Sequence, residues 1–140
     1  GGGDCAVPIQ PRLTIRLHAE GRTFAPGSTL CGQYWLEGLP TEEVKAIELS
    51  VLWYTEGKGE EDMAVHYFRR DSLAELCQSA GRWIGSFTTQ LPRSPLSYHG
   101  LIVKIVWAVR VRLFLAGGKQ IVEELRFRLG SVGAAKGIPK

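Results

Sequence analysis

Cysteine is scarce in this 140-residue chain, which contains three. Cys5, Cys31 and Cys77 form neither a CxxC pair nor a zinc-ligand spacing, so we predict reduced, mostly structural thiols. Apolar residues make up 44% of the chain and charged residues 22%, which is typical of globular domains and disfavours disorder or a disulfide scaffold. A chain of this length is expected to bury its own core as one domain.

Long apolar runs are also lacking. The most apolar segment, residues 101–115, carries Lys104, Arg110 and Arg112, so no transmembrane segment is predicted. The first five residues have neither the basic nor the apolar region of a secretory signal, which makes cytoplasmic localisation the expectation. The net charge of +3 is a mild excess, and no nucleic acid partner is predicted from it.

Apolar side chains recur with a period of two along most of the chain, as in strands that bury one face. Residues 12–18 alternate strictly, with Leu13, Ile15 and Leu17 on the inward face. The same spacing predicts further strands at residues 29–36, 45–54, 63–70 and 83–91. Gly32, inside the second strand, indicates a bulge or a close backbone approach.

One segment has helical spacing instead. Ser72 followed three residues later by Glu75 matches a capping box, so one or two helical turns are predicted between residues 72 and 80. The alternative is that residues 71–77 prolong the preceding strand.

The longest predicted strand covers residues 101–115, where every odd residue is apolar. It is joined to a strand at 120–129 whose apolar phase is also odd, so directly opposed residues must have an even sum of numbers. This register requires an odd loop, and we predict three residues with one glycine in a left-handed conformation. Glu123 falls in the inward phase, which requires either a protruding hairpin tip or a bulge.

Seven strands with almost no helix predict an all-β fold. The expected architecture is a two-sheet antiparallel immunoglobulin-like β-sandwich with at most one short helix. We predict an N-terminal tail at residues 1–11, the sandwich at 12–130 and a C-terminal tail at 131–140.

Two segments resemble the N-terminal domain of the arrestin clan, which includes arrestins, arrestin-domain-containing adaptors and bacterial proteins such as the sporulation-control family. Residues 24–33 are similar to the clan's pattern of an aromatic residue, Pro-Gly and a later glycine. Residues 85–100, followed by the long strand, resemble its Phe-x-x-x-Leu-Pro and Pro-Ser-aromatic-x-Gly arrangement. Tyr98 in this corner is predicted to close the end of the sandwich with its ring and to reach the backbone with its hydroxyl.

Together with the strand order, the resemblance spans roughly residues 13–129, nearly the whole domain, and implies an arrestin-like sandwich that acts as a non-catalytic, protein-contacting module. Full arrestins pair two such sandwiches, whereas this chain holds one and has no Pro-Pro-x-Tyr motif. Receptor recognition and trafficking functions are therefore not carried over.

The outward phase of the long hairpin supplies the candidate partner-binding residues, which are Lys104, Arg110, Arg112, Arg126 and Arg128. Together they would form a patch that attracts an acidic peptide, a phosphate or an anionic surface. The alternative is that Glu124 pairs with an arginine across the hairpin and the other cations only solubilise the sheet. Apolar residues of the same parity favour a covered surface, beneath a second sandwich domain, a homodimer mate or a bound peptide: Ile102, Val106 and Phe114.

No catalytic signature is present. The three histidines are scattered, and there is no nucleophile elbow, HExxH, P-loop or GxGxxG motif. We therefore predict no catalytic residue, no cofactor and no metal, and interpret the acidic loop at residues 56–62 as solvated rather than calcium-binding. An enzyme built on His66 or His99 would need a carboxylate or cysteine within reach of the ring.

The leading hypothesis is a protein-interaction or scaffold module of the adaptor kind. Its protein or peptide partner would contact the outer face of the long hairpin or an unpaired edge strand. The alternative is a small-ligand or carbohydrate-binding β-sandwich that uses Trp35, Tyr34 and Tyr54.

Overall fold

A computed structural model describes residues 11–130, and the tails predicted at either end lie outside them apart from Pro11. Ten strands are present in this range: β1 (Arg12–Leu17), β2 (Thr23–Phe24), β3 (Thr29–Glu37), β4 (Val44–Gly57), β5 (Met63–Asp71), β6 (Cys77–Ser79), β7 (Arg82–Gln90), β8 (Tyr98–His99), β9 (Val103–Leu115) and β10 (Gln120–Leu129). The seven predicted strands are confirmed, and β2, β6 and β8 are short additions. The only helical segments described are three-residue 3-10 turns at Thr41–Glu43, Leu73–Glu75 and Ala116–Gly118, and none of them is long or apolar enough to cross a membrane.

The strands form two sheets that pack face to face. The larger sheet has the order β2-β10-β9-β4-β5, with β8 also pairing with β9, and the smaller sheet has the order β1-β3-β7-β6. This arrangement confirms the two-sheet all-β sandwich. One detail of the prediction is wrong, because β2 pairs with β10 in parallel. Strand β2 lies between β1 and β3 in the chain, and its two residues run in the same direction as the last two residues of β10.

The core lies between the sheets and follows the predicted phases. Trp107, Val109 and Leu113 of β9 are fully buried, and Phe127 of β10 is nearly so. Inward residues of the smaller sheet meet them, among them Leu13 and Ile15 of β1. The predicted inward phase of residues 101–115 begins too early, because Leu101 precedes β9 and is fully exposed.

The long hairpin has the predicted even-sum register, with Leu113 opposite Ile121. Its loop is the three residues 116–118, closed by a hydrogen bond from the Leu115 amide to the Lys119 carbonyl at 2.8 Å. Both glycines of the loop are left-handed, with φ of 79° and 80°, rather than one. Glu123 is exposed without any bulge in the register. Because β2 flanks β10 only at its last two residues, the Glu123 carboxylate lies on an open edge of the sheet and reaches water.

The segment after β5 is mostly not helical. The capping box is present, with the Ser72 amide donating to the Glu75 carboxylate at 2.7 Å, but it closes a single 3-10 turn. Cys77 then begins β6 in the other sheet. Ala80 and Gly81, with φ of 54° and 78°, make the two-residue turn into β7. Two consecutive left-handed residues are what a tight hairpin turn requires, and they end any helix.

The corner before β9 differs in one side chain from the prediction. Tyr98 is exposed and folds over Gly100 rather than closing the sandwich end. Ser97 ties the corner to the sheet instead, because its hydroxyl accepts a hydrogen bond from the Leu129 amide at 2.8 Å. The Trp107 indole donates to the Pro95 carbonyl at 2.7 Å, so the buried ring nitrogen is satisfied.

Candidate functional site: the outer face of the larger sheet

The five predicted cations share one surface, which we call the outer face: the side of the larger sheet that points away from the smaller sheet. Even-numbered residues of β9 and β10 project there, opposite the buried odd-numbered ones. Arg110 lies directly opposite Glu124, and Arg126 lies opposite Ala108. Strand β4 contributes Tyr54 and Glu56 to the same face.

Two of the five cations are engaged in a network at the centre of this face. The Arg110 guanidinium donates to Glu124 at 2.8 and 3.0 Å, and the Tyr54 hydroxyl donates to the same carboxylate at 2.5 Å. Arg126 donates to Glu56 at 2.7 Å and lies 3.8 Å from Glu124. Both guanidinium carbons lie 5.8 Å from the centre of the Tyr54 ring, within reach of a cation–π attraction. The pairing of Glu124 with an arginine, predicted as the alternative to a free patch, is therefore present.

Protonation in the network follows from these contacts. Burial alone would raise the pKa of Glu124, but hydrogen bonds from Tyr54 and Arg110 outweigh it and hold that pKa below its ordinary value. Burial and the hydrogen bond to Glu124 raise the pKa of Tyr54. The hydrogen bond to Glu56 raises the pKa of Arg126. At neutral pH the network consequently holds Glu124 as a charged carboxylate, Arg126 as a charged guanidinium and Tyr54 as a neutral phenol.

The other three cations are not engaged in this way. Lys104, Arg112 and Arg128 form no ion pair with any carboxylate of residues 11–130. Arg112 donates only to the neutral amide oxygen of Gln120, at 2.8 Å. Of the five predicted cations, these three are thus the ones without a carboxylate partner among residues 11–130.

An open cavity of about 610 Å³ borders the network beside Tyr54 and Arg110. Its far wall is formed by Glu61, Asp62 and Met63, where the acidic loop turns into β5. Arg110 is already neutralised by Glu124, and two acidic side chains lie across from it. The charges around this cavity therefore do not favour an anionic small molecule.

The outer face also carries large apolar side chains. Met63, Val65 and Phe68 on β5 are each about half exposed, at 51%, 50% and 53%, and Val122 on β10 is 44% exposed. Between them Leu52, on β4, is buried on this same face under its neighbours. The outer face therefore combines apolar surface with arginines.

The aromatic residues proposed for a ligand pocket do not converge. Tyr34 is buried between the sheets. Trp35 lies on the outward side of the smaller sheet, with the Arg82 guanidinium carbon 5.1 Å from its ring centre. Tyr54 lies on the outer face of the larger sheet. Three rings on three different surfaces cannot line one pocket. The carbohydrate-binding alternative that uses Trp35, Tyr34 and Tyr54 together therefore has no geometric basis.

The histidines are also separate from acidic or thiol groups. His66 donates through Nε2 to the Gln90 carbonyl, 2.7 Å away, and its ring is edge-on to Trp107. Within residues 11–130 neither His66 nor His99 is hydrogen-bonded to a carboxylate or a thiol. The same part of the chain contains no group of three or more His, Cys, Asp or Glu side chains placed to hold a metal ion.

A buried polar cluster between the sheets was missed by the sequence analysis. The Tyr34 hydroxyl donates to Asp71 at 2.5 Å, and Arg69 donates to the same carboxylate at 2.8 and 2.9 Å. Asp71 is the one buried charged residue among those described. The available signal was the spacing of Arg69 and Asp71, two apart on a strand, which puts opposite charges on one face.

Comparison with known proteins supports the fold. No known protein family and no curated protein matches the chain. Among solved structures it is similar to Spo0M, a sporulation control protein from Bacillus subtilis, with a TM-score of 0.62 and 17% sequence identity over 87% of this chain. The chain spans about half, 50%, of the Spo0M chain. An identity this low shows the fold alone, and that fold is arrestin-like.

Proposed function

We propose that this chain is a non-catalytic, cytoplasmic protein-interaction or scaffold module that binds a protein or peptide partner on its outer face. The observation that carries the proposal is the coincidence of half-exposed Met63, Val65 and Phe68 with a set of arginines on one side of one sheet. Arginine, methionine and aromatic residues are the types enriched in protein interfaces. An apolar surface of this kind on a water-facing sheet is typical of a covered face.

The charges of the face indicate the chemistry of the partner. Six cations and three carboxylates project from its strands, a balance of 6 − 3 = +3, and they are Arg70, Lys104, Arg110, Arg112, Arg126 and Arg128 against Glu48, Glu56 and Glu124. Glu61 and Asp62 reduce the positive charge beside the cavity. The partner segment would therefore present carboxylates beside apolar side chains. Its carboxylates would meet Lys104, Arg112 and Arg128 first, since Arg110 and Arg126 are already paired.

The likeness to Spo0M is consistent with this role, because that protein is described as a sporulation control protein. The likeness itself supports the arrestin-like fold.

The test is capture of binding proteins by the immobilised chain, with a double charge reversal on the outer face. Lys104→Glu/Arg112→Glu removes two uncompensated cations, and we expect captured partner to fall at least about tenfold and its salt dependence to flatten. The matched control is Arg12→Glu/Arg16→Glu, which makes the same change in net charge on β1, at exposed positions of the smaller sheet. Capture that is unchanged by the first variant, or reduced equally by both, would remove the outer face from consideration.

A further inference from the structure

Two long strands in the described part of the molecule have an open side. Residues 120–127 of β10 form one open edge, but Glu123, Glu124 and Arg126 place charges along it, which disfavours pairing with another chain. Strand β5 is the other. It has nine residues, and its only sheet neighbour is β4. The other outermost strands are β1 with six residues, β6 with three and β2 with two. Short edges resist pairing with other chains, whereas a long edge with apolar side chains offers a template for another strand. Residues 63–66 of β5 are exposed on both sides of the sheet.

The charges along this edge are ordered. Glu60, Glu61 and Asp62 lie just before β5, whereas Arg69 and Arg70, which bind Asp71 and Glu48, lie near its end. A second copy that paired in parallel would place like charges together. A second copy that paired antiparallel would place the acidic end of each strand beside the basic end of the other, which favours the antiparallel arrangement.

A bulge in β5 restricts the register of such a pair. Tyr67 lies opposite Val51 and Val65 lies opposite Leu52, so His66 is the extra residue. The outward residues are therefore odd-numbered before the bulge, as in Met63, and even-numbered after it, as in Phe68. Because directly opposed residues share a face, the numbers of paired residues outside the bulge must have an odd sum.

Three odd sums pair at least six residues of β5, Val65 among them, with β5 of the second copy, and their charges distinguish them. A sum of 131 puts Met63 opposite Phe68 of the second copy, Glu61 opposite Arg70 and Asp62 opposite Arg69. A sum of 133 puts Met63 opposite Arg70 and Asp62 opposite Asp71, which brings two carboxylates together. A sum of 135 puts Val65 opposite Arg70 and joins no opposite charges. The register with a sum of 131 is therefore the one that matches both the apolar and the charged side chains.

We propose that two copies of this chain pair antiparallel along β5, in the register that places Met63 opposite Phe68. The pair joins the two larger sheets into one, and it covers the apolar side chains that each edge exposes. Its two outer faces lie on the same side of the joined sheet. The pair covers Met63, Val65 and Phe68, the same side chains that carry the proposed function. The two proposals are tested separately, because only self-association doubles the mass of the chain.

The first test measures the mass of the full chain in solution by sedimentation across a concentration series. The mass should rise from that of one 15.4 kDa chain to twice that value. Val65→Lys should raise the dimer dissociation constant at least about tenfold, because a charge is placed at the contact. The control is Val122→Lys, the same change at a comparably exposed position on the opposite side of the outer face, and it should leave dimerisation intact. A wild-type chain that stays monomeric throughout, or equal effects of the two variants, would overturn the proposal.

The second test fixes the register by disulfide trapping. Met63→Cys/Phe68→Cys should form covalent dimers under mild oxidation much faster than the wild-type chain, whose native cysteines serve as the background. Met63→Cys/Arg70→Cys should not, because that pair is opposed only in the alternative register. Rapid cross-linking of the second variant and not the first would overturn the register, and no cross-linking of either would overturn the contact.

Discussion

Replacing Tyr34 by phenylalanine removes one hydroxyl from the interior and leaves the ring in place. In the wild-type protein this hydroxyl donates to Asp71, whose carboxylate also binds Arg69. The bond joins β3 of the smaller sheet to the end of β5 in the larger sheet. Gly85 lies so close beneath the Tyr34 ring that any added Cβ would come within 2.5 Å of it, so the ring has no room to move toward β7.

The expected loss of stability can be estimated from the bonds that remain. Asp71 keeps both bonds from Arg69 in the variant, so its charge stays compensated. What is lost is one hydrogen bond to a charged group, which contributes about 1.5 to 3 kcal/mol when buried. We therefore expect Tyr34→Phe to lower the free energy of unfolding by about 2 kcal/mol, which corresponds to a fall in Tm of roughly 5 to 8 °C for a domain of this size.

The matched control is Tyr54→Phe. Tyr54 also donates to a carboxylate, Glu124, at the same distance of 2.5 Å, but it lies on the half-exposed outer face. Water can replace the lost hydroxyl there, so the expected cost is below about 1 kcal/mol. Urea unfolding of the three proteins, followed by tryptophan fluorescence, measures both values. Equal losses for the two variants would refute the reasoning, because the buried hydrogen bond would then contribute no more than the half-exposed one.

The same cluster predicts behaviour at high pH. Burial, and then the hydrogen bond to Asp71, raise the pKa of Tyr34 above its ordinary value of 10. Folding thus favours the protonated phenol, so its contribution to stability is complete below pH 10 and declines as the pH rises above that value. Tyr34→Phe should abolish this part of the alkaline destabilisation, since phenylalanine has no proton to lose.

Two further perturbations test the packing and the outer-face network. Gly32→Ala should lower the free energy of unfolding, measured in urea, by at least about 2 kcal/mol, because the added Cβ would lie 2.6 Å from the Arg16 carbonyl oxygen. The control Gly21→Ala should be nearly neutral, since no atom lies within 4 Å of its added Cβ. Similar losses for both variants would contradict the close approach at Gly32. Glu124→Gln should lower the free energy of unfolding at neutral pH, because the ionised carboxylate is the form that the fold stabilises. The difference in free energy between wild type and variant should shrink as the pH falls below the ordinary carboxyl pKa of 4.5. A difference that stays constant down to acid pH would show that the charge of Glu124 does not matter.

The features that the sequence could predict are those that depend on alternation along a single strand. The odd phase of residues 101–115 and the odd phase of residues 121–129 together determine the hairpin register, and the structure has that register. The same alternation placed Arg110 and Glu124 on one face. Because these contacts are set by strand geometry and one short loop, no knowledge of the rest of the chain was needed.

The features that the sequence could not supply depend on contacts between distant segments. Tyr34 and Asp71 are 37 residues apart, and only the packing of two sheets brings them together. The bulge at His66 reverses the phase of β5 without any glycine or proline to signal it. The prediction of one or two helical turns after Ser72 was wrong for a related reason. Its capping box formed, but pairing of Cys77 with β7 took the following residues into the smaller sheet.

The outer face has more cations than its own carboxylates can compensate, and the sheet register shows why. Glu56 lies directly opposite Lys104 on the neighbouring strand, yet it binds Arg126 of β10, whose side chain reaches across β9. Glu124 is held by Arg110. Lys104, Arg110 and Arg126 thus compete for two carboxylates, and any exchange among them leaves one cation without a partner. A carboxylate supplied from outside the chain would satisfy that cation without breaking either existing pair, so we expect the proposed partner to be acidic rather than neutral.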